Sequence, residues 1–423
     1  MRSITRLAVL SLAFFTGAAQ AQETLMLRQP AVAEDQLAFI YAGDLWVADR
    51  DGANPRRLTT SAAEERDPSF SPDGRWIAYA GRFENNTDVY VISVDGGQPR
   101  RLTWHPGGDH PTGWTADSSA VTFVSARETD HGRSGQLYTV PLAGGAPVKR
   151  MAARVYRGVL DGEDRRFAYI AHGSGYNGLF GGSAGWKGYR GGTTPAIRIM
   201  DLAAESVVTV PGAGATNFNP IWLGDTLYFL SDRDDKTFNL FRWEPANGAV
   251  VKVSDETDWD IFAAAGHGDR IVYEAGGRLK ELNLASGQAQ DLPIAIAPDL
   301  PQLREQWKDA AKTLQHATIS PSGERALLTA RGEVFTVPTD EGSTRNLTAT
   351  DGAREYTALW APGGERIAWI EEALDGQTLV LQDQAGLGEP RRLPLGPHFH
   401  ELLAWSPDDA RIVFRDNHLA LHA

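Results

Sequence analysis

The sequence contains no cysteine among its 423 residues. This absence excludes disulfide bonds, metal sites built from thiolates and any mechanism that needs a cysteine nucleophile. A chain without cysteine is compatible with an oxidising compartment but does not require one.

Basic residues are scarce relative to acidic ones. Lysine and arginine total 41 against 54 aspartates and glutamates, which leaves a formal net charge of −13. Proteins that bind nucleic acid or anionic membranes need clustered Lys and Arg. We therefore expect neither nucleic acid nor a membrane among the partners of this chain.

A long apolar run is missing everywhere except at the start of the chain. Arg2 and Arg6 precede an apolar stretch over residues 7–15, and Ala19-Gln20-Ala21 follows as a small-x-small cleavage site. This order is typical of a secretory signal peptide rather than of a membrane span, which needs ~20 apolar residues. The sequence thus predicts a signal peptide over residues 1–21 and an exported product, periplasmic or secreted.

One short repeat fills the rest of the chain: an aromatic or Ser-Pro lead, an acidic-glycine turn and an apolar strand. The clearest copies lie at residues 70–79, 360–369 and 405–414. Strands of this kind are predicted to begin near residues 37, 77, 121, 167, 227, 271, 326, 367 and 412. Most steps are about 40 to 46 residues, the length of one four-stranded blade, so the pattern predicts an all-β chain built as a β-propeller.

The turns of the repeat have a local explanation. Asp51-Gly52 and Asp95-Gly96-Gly97 supply the positive φ angles that tight hairpins need. These two hairpins lead into Arg-Arg-Leu-Thr segments at residues 56–59 and 100–103. Because such basic pairs recur at one position of the repeat, we interpret them as structural rather than as ligand-binding.

The strand periodicity breaks once, after the sixth repeat. Leu303, Trp307 and Leu314 share one face at helical spacing, which predicts a short helix in this part of the chain. The alternative is one continuous nine-bladed ring. We expect a signal peptide at residues 1–21, a six-bladed β-propeller at 22–298, a helical linker at 299–316 and the first two to three blades of a second, truncated β-propeller at 317–423.

The fourth repeat contains an insertion with the most specific motif in the chain. Residues 185–193, Gly-Trp-Lys-Gly-Tyr-Arg-Gly-Gly-Thr, resemble the signature of the tricorn protease family. The opening Asp44-Leu45-Trp46 and the Ser-Pro-Asp-Gly repeats are similar to that family as well, although Ser-Pro-Asp-Gly units also occur in TolB-type propellers. The resemblance covers essentially the whole chain after the signal peptide.

The resemblance implies a six-bladed propeller and a seven-bladed one, followed by a PDZ domain and a serine-peptidase core. It implies that this chain stops inside the second propeller and holds no catalytic residue, because the nucleophile, histidine and acidic residue of the family lie in the C-terminal half. Paired arginines that hold a peptide carboxylate in the family would fall near residues 104–112. This sequence has Gly107-Gly108-Asp109-His110 there instead.

Four residues of the insertion are the predicted peptide-binding or partner-binding site: Trp186, Lys187, Tyr189 and Arg190. Aromatic and cationic groups between glycines suit the recognition of a peptide or of a neighbouring subunit. The alternative is structural. Trp186 and Tyr189 would then fill a seam between blades, while Lys187 and Arg190 would be solvated or ion-paired.

Other patterns do not predict a site. Residues 181–185 match G-x-S-x-G but lack the strand and helix of a nucleophile elbow, so we predict a glycine-rich loop. The aspartates at 232, 234 and 235 lack the spacing of a calcium loop, and His398 and His400 lack a zinc-binding motif. We therefore expect no catalytic residue, no cofactor and no metal.

The combined prediction is the non-catalytic propeller portion of an exported tricorn-like serine protease. It would admit peptide or unfolded protein through its channel to a peptidase core, within a homo-oligomer or on a separate chain. The alternative is a self-standing, TolB-like periplasmic scaffold that binds proteins. A propeller enzyme with a metal or sugar site would need converging histidines or carboxylates, which the sequence does not show.

Overall fold

The computed structural model describes residues 23–129, 135–173, 188–212, 214–234, 237–245, 247–297, 307–396 and 398–423. The predicted signal peptide, the 181–185 loop and the first half of the predicted linker lie outside these residues. Within the described ranges, no helix has the length and apolar character needed to cross a bilayer. The chain divides into two compact units, residues 1–300 and 301–423, which are described separately.

The first unit is made of four-stranded antiparallel sheets, each built from four consecutive strands. Sheet 1 contains β1 (Arg28–Val32), β2 (Gln36–Tyr41), β3 (Asp44–Asp49) and β4 (Arg56–Arg57). Sheet 2 contains β5 (Glu64–Phe70), β6 (Trp76–Phe83), β7 (Asn86–Ser93) and β8 (Arg100–Arg101). Sheet 3 contains β9 (Asp109–Trp114), β10 (Ala120–Ser125), β11 (Gly135–Pro141) and β12 (Val148–Val155).

Three further sheets of the same kind complete the described part of this unit. Sheet 4 contains β13 (Arg157–Leu160), β14 (Arg166–Ile170), β15 (Ile197–Asp201) and β16 (Ser206–Thr209). Sheet 5 contains β17 (Asn217–Leu223), β18 (Thr226–Ser231), β19 (Asn239–Glu244) and β20 (Ala249–Lys252). Sheet 6 contains β21 (Ala263–His267), β22 (Arg270–Ala275), β23 (Arg278–Asn283) and β24 (Ala289–Asp291).

The first strands of these sheets meet around a common axis. Each contacts the first strand of the next sheet, in the closed series β1, β5, β9, β13, β17, β21 and back to β1. Sheets arranged radially in this way form a β-propeller. The prediction of an all-β propeller is therefore confirmed.

The repeated apolar strand of the sequence is the second strand of each sheet. This strand hydrogen-bonds to a neighbour on both sides, and its side chains face the two adjoining sheets. Its residues are accordingly largely buried in the first unit; all six residues of β22 are buried. Burial from both faces explains why this strand is a continuous apolar run in the sequence.

The Ser-Pro-Asp-Gly turn before β6 is held by its own side chains. The Ser71 hydroxyl accepts a hydrogen bond from the Trp76 N–H (3.0 Å) and donates one to the Asp73 carboxylate (2.6 Å). Asp73 also accepts from the Arg75 N–H (3.1 Å), and Gly74 adopts φ of 70°. The sequence signal thus arises from a turn that aligns the first two strands of the sheet.

Sheets 1 and 6 close the ring without exchanging a strand. The guanidinium of Arg270, only 1% exposed, donates to the carbonyls of Ala33 (2.9 Å) and Arg50 (3.1 Å) in sheet 1. It also pairs with Glu281 of its own sheet at 2.8 Å. Burial lowers the pKa of Arg270, and the Glu281 carboxylate opposes that shift.

Main-chain contacts complete the same junction. The Thr24 N–H donates to the Ile294 carbonyl at 2.9 Å, so the segment before β1 lies beside the segment after β24. Gly52, with φ of 86°, approaches the Ile294 side chain so closely that a Cβ would lie 2.8 Å from its Cγ1. The absence of a side chain at residue 52 therefore permits the closure as well as the turn.

The second unit repeats the same sheet pattern. Sheet 7 contains β25 (Leu314–Ile319), β26 (Arg325–Ala330), β27 (Glu333–Pro338) and β28 (Arg345–Asn346). Sheet 8 contains β29 (Arg354–Trp360), β30 (Arg366–Ala373), β31 (Gly376–Asp383) and β32 (Arg391–Gly396). Sheet 9 has three strands, β33 (His400–Trp405), β34 (Ile412–Asp416) and β35 (Leu421–His422).

The predicted helical linker is described only from residue 307 onward, and its helical part there is shorter than predicted. Residues 310–313 form a single 3-10 turn, which begins with the Asp309 carboxylate accepting a hydrogen bond from the Ala311 N–H. Leu314 is already in β25, and Trp307 is fully exposed rather than part of a packed helix face. Leu314 pairs with Ala330 of β26, so strand pairing determines the conformation from this residue onward.

Arg270→Met should destabilise the first unit by about 3 to 5 kcal/mol, because it leaves Glu281 and two carbonyls without their buried partner. Urea unfolding followed by tryptophan fluorescence measures the change. The exposed Arg75→Met is the matched control and should stay within about 0.5 kcal/mol of the parent. Equal stability of the two variants would show that Arg270 does not hold the junction.

Limited proteolysis of the chain should leave a resistant fragment that ends between residues 297 and 314. The second unit exposes apolar side chains on its outer sheets, such as Ile319 (62%) and Leu421 (70%), and should open first. Mass spectrometry of the time course identifies the fragment ends. Equal resistance of both units would contradict the expectation.

Candidate functional site

Four of the first strands share a polar residue followed by proline. These pairs are Gln29-Pro30 in β1, Asp67-Pro68 in β5, His110-Pro111 in β9 and Asn219-Pro220 in β17. A first strand is a sheet edge that faces the axis, so the N–H that proline lacks is not needed for strand pairing there. The repeat therefore places four polar side chains at one level of the ring.

The backbone bends at these positions. The pairing register of β1, β5 and β17 shifts where the proline pair stands. Gln29, Asp67 and Asn219 adopt φ of 50°, 56° and 51°, in the left-handed region that residues other than glycine rarely occupy. A bulge of this kind redirects a side chain, and bulges are frequent next to functional sites.

Asp67 is the centre of the polar contacts. Its carboxylate accepts a hydrogen bond from the Arg157 guanidinium at 2.6 Å, and its main-chain N–H donates to the Gln29 side-chain oxygen at 2.9 Å. The Asp67 side chain is 11% exposed and that of Arg157 is 23% exposed. A short, largely buried pair of opposite charges is a strong contact.

The flanking contacts fix the rest of this level. The Gln29 N–H donates to the Glu274 carboxylate at 2.9 Å, and burial raises the pKa of Glu274 from its ordinary value. The Asn219 amide donates to the Ala264 carbonyl at 2.8 Å. Sheet 1 is thus joined to sheet 6, and sheet 5 to sheet 6, through polar residues of the axial level.

His110 lies beside the Asp67–Arg157 pair. Crowding by protein atoms lowers the pKa of His110; the Asp67 carboxylate opposes this shift, and Arg157 adds to it. The side chain of His110 is nevertheless exposed to solvent. A side chain that is packed among protein atoms and also exposed to solvent is typical of the wall of a narrow channel. We call Gln29, Asp67, His110, Arg157 and Asn219 the axial cluster.

Of the four predicted recognition residues, the structure describes Tyr189 and Arg190, which do not belong to the axial cluster. Trp186 and Lys187 are outside the described residues. Arg190 pairs with the fully buried Asp232 carboxylate at 2.8 Å, while the Tyr189 hydroxyl accepts a hydrogen bond from Thr193 at 3.4 Å. The binding role of this insertion stays a prediction, and the contact of Arg190 matches its structural alternative.

The other predicted features have structural partners. Asp232 also accepts a hydrogen bond from the Thr216 N–H (2.9 Å), and the His400 ring bonds to Gln377 (3.0 Å). Within the described part of the chain, no group of three or more His, Asp or Glu side chains is arranged to hold a metal ion.

The recurring arginines have local partners as well. Arg57 pairs with Asp44 at 2.5 Å and Arg101 with Asp88 at 2.6 Å, each joining the third and fourth strands of a sheet. Where the family resemblance would place paired arginines, this chain has Asp109 and His110. Asp109 is fully buried.

Glu65 is a buried carboxyl at the junction of sheets 1 and 2. It accepts hydrogen bonds from the Leu45 N–H (2.9 Å) and from the Thr59 hydroxyl. Burial raises the pKa of Glu65 to about 7; the hydrogen bonds from Thr59 and Leu45 oppose the shift, and the Asp44 carboxylate adds to it. Glu65 therefore changes charge near neutral pH while it holds two sheets together.

The axial cluster was not among the predicted site residues. The signal was present in the sequence as a polar residue before proline in four repeats. These polar-proline pairs lie in the first strand of a sheet. Its mixture of polar and apolar residues is a weaker sequence signal than the apolar run of the second strand. Only the ring arrangement shows that Gln29, Asp67 and Arg157, distant in sequence, come together.

Comparison with known proteins gives one consistent result. Residues 24–288 match the model of the tricorn protease N-terminal beta propeller domain. Tricorn protease homolog 1 of Streptomyces coelicolor is 28% identical over 94% of this chain, and the tricorn protease homolog of Saccharolobus solfataricus is 22% identical over 93%. The chain spans 37% and 35% of the lengths of these two relatives.

Solved structures agree at the level of the fold. The crystal structure of the tricorn protease superposes with a TM-score of 0.64 over 94% of this chain and 39% of its own, at 18% identity. The Tol-Pal system protein TolB of Desulfosudis oleivorans is 34% identical, but only over 65 residues, 14% of this chain.

The buried Glu65 should make stability depend on pH between about 4.5 and about 7. Its pKa is raised in the folded chain, so its contribution is full below pH 4.5, the ordinary value, and is lost as the pH rises through about 7. The parent chain should lose stability between pH 4.5 and pH 8, and in Glu65→Gln this loss should be smaller by roughly 2 to 3 kcal/mol.

Urea unfolding of the parent and the variant at these two pH values measures the difference. The exposed Glu34→Gln serves as the control and should keep the pH dependence of the parent. An unchanged pH dependence in Glu65→Gln would contradict the assignment.

Proposed function

This chain belongs to the family of the tricorn protease N-terminal β-propeller domain, and from that premise we propose that it is the non-catalytic, substrate-gating portion of an exported tricorn-like serine protease. The proposed substrate is peptide or unfolded protein. The proposed peptidase core lies on further sequence of the same protein or on a partner chain. The family match over residues 24–288 carries this proposal.

The geometry of the first unit supports a gating role. Its first strands surround an axis, and the axial cluster brings charged and amide side chains to one level of that axis. Polar lining suits the main chain of an extended polypeptide, whose N–H and C=O groups need hydrogen-bond partners as they leave water. A folded domain has no comparable extended main chain to offer.

The second unit supports the view that more of the protein is needed. Its outer sheets leave apolar side chains exposed: Leu314 (49%) and Ile319 (62%) in sheet 7, and Leu403 (41%) and Leu421 (70%) in sheet 9. Propeller blades stack by covering the apolar face of the neighbouring blade. Further blades, from the same protein or from another copy, would cover these faces.

The alternative is a scaffold of the TolB kind that binds folded partners. The similarity to TolB is confined to 65 residues, and strand-and-turn repeats of this type are common to many propellers. The two proposals differ in the state of the polypeptide that binds. A tricorn-like gate prefers an unfolded chain, whereas a scaffold prefers a folded surface.

The purified chain should bind an unfolded polypeptide without cleaving it. Fluorescence anisotropy with labelled casein-like substrate measures binding, and electrophoresis of the same samples detects cleavage. A folded, labelled protein of similar size is the control and should bind more weakly. Cleavage that a serine-directed inhibitor abolishes, or preference for the folded protein, would overturn the proposal.

A further inference from the structure

The contacts of Asp67 span the ring of the first unit. Gln29 lies in sheet 1, Asp67 in sheet 2 and Arg157 in sheet 4, and hydrogen bonds of 2.9 Å and 2.6 Å join them in that order. Sheets 1 and 4 stand three places apart in the closed series of first strands, so they face each other across the axis. The three residues therefore form a bridge between opposite walls.

The bridge passes the first strand of sheet 3 instead of following the wall through it. Asp67 and Arg157 are separated by 90 positions in sequence and by one whole sheet in the ring. His110, on that intervening strand, remains exposed beside the pair. The ion pair thus joins sheets 2 and 4 directly, beside the exposed side chain of His110.

We propose that the Asp67–Arg157 ion pair is a bar across the axial channel, and that an extended polypeptide passes only when this pair opens. The proposal deepens the gating function given above and rests on it for the nature of the passing molecule. The bar itself is a property of the first unit.

The two ends of the bar differ in how firmly they are held. Asp67 stands on a bulge, and its main chain is fixed by Gln29, which is fixed in turn by Glu274. Arg157 begins β13, which pairs with β14 in regular register, and the long arginine side chain reaches the carboxylate from there. We expect the pair to open by rotation of the Arg157 side chain, with β13 kept in its register.

The fold fixes the strand under Arg157. A Cβ at the next residue, Gly158, would lie 2.5 Å from the Phe167 ring and 2.6 Å from the Ala168 carbonyl oxygen. This close packing keeps β13 in place while the side chain before it moves. The movable part of the proposed gate is consequently a single side chain.

The absence of cysteine in the chain allows a direct test. His110→Cys places one thiol beside the bar, and its reaction rates with N-ethylmaleimide and with a polyethylene-glycol maleimide are compared. The ratio of the large-reagent rate to the small-reagent rate reports the width of the channel. It also cancels changes in the intrinsic reactivity of the thiol.

Three second substitutions, each combined with His110→Cys, test the proposal. Arg157→Met keeps most of the side-chain length but removes the charge, and it should raise the rate ratio by about tenfold, the factor that corresponds to about 1.4 kcal/mol. Asp67→Asn should raise it similarly, while Arg157→Lys, which keeps the charge, should stay near the parent. Arg165→Ala, which breaks the exposed Arg165–Glu163 pair, is the control and should not change the ratio.

Far-ultraviolet circular dichroism and urea unfolding establish that each variant is folded, and the two Arg157 variants keep the test decisive if Asp67→Asn does not fold. An unchanged ratio in folded Arg157→Met would overturn the bar, as would an equal increase in Arg157→Lys. The labelling experiment contains no polypeptide substrate. Failure of the bar is therefore distinguishable from failure of the proposed function, which would appear as absent polypeptide binding to the parent chain.

Discussion

Closure of the ring between sheets 1 and 6 is the constraint on which the first unit depends. Each sheet is made of consecutive strands, so no strand is shared across the junction, and side-chain contacts join the ends together with main-chain hydrogen bonds such as that between Thr24 and Ile294. Arg270 does this from a fully buried position, with two carbonyls of sheet 1 and Glu281 as partners. Because a buried cation without partners is costly, the interaction is stable only when both sheets are present together.

The same closure creates the candidate site. Once the sheets surround an axis, their first strands become inward-facing edges, where proline is tolerated and bulges direct polar side chains inward. Gln29, Asp67 and Arg157 then meet from three different sheets. The axial cluster is thus a consequence of ring geometry.

This arrangement agrees with membership of the tricorn N-terminal propeller family. The chain spans little more than a third of its curated relatives, and the matched region is a propeller rather than a complete protease. In our proposal, opening of the Asp67–Arg157 ion pair controls access along the axis of this propeller. The proposed gate is thus the role of the propeller, and the proposed bar is the ion pair that performs this role.

The sequence alone determined the all-β propeller, because each second strand is buried on both faces and must be apolar regardless of its partners. The turn at residues 71–76 was also predictable from the sequence, because its hydrogen bonds join residues that are close together in the chain. After Trp307 the helical part is a single 3-10 turn, because the main chain of Leu314 already pairs with β26, a long-range contact that helical spacing cannot reveal. The meeting of the axial cluster was decided by tertiary structure: the proline that follows Gln29 and Asp67 marks a bend in each first strand, but only closure of the ring brings these residues and Arg157 within hydrogen-bonding distance.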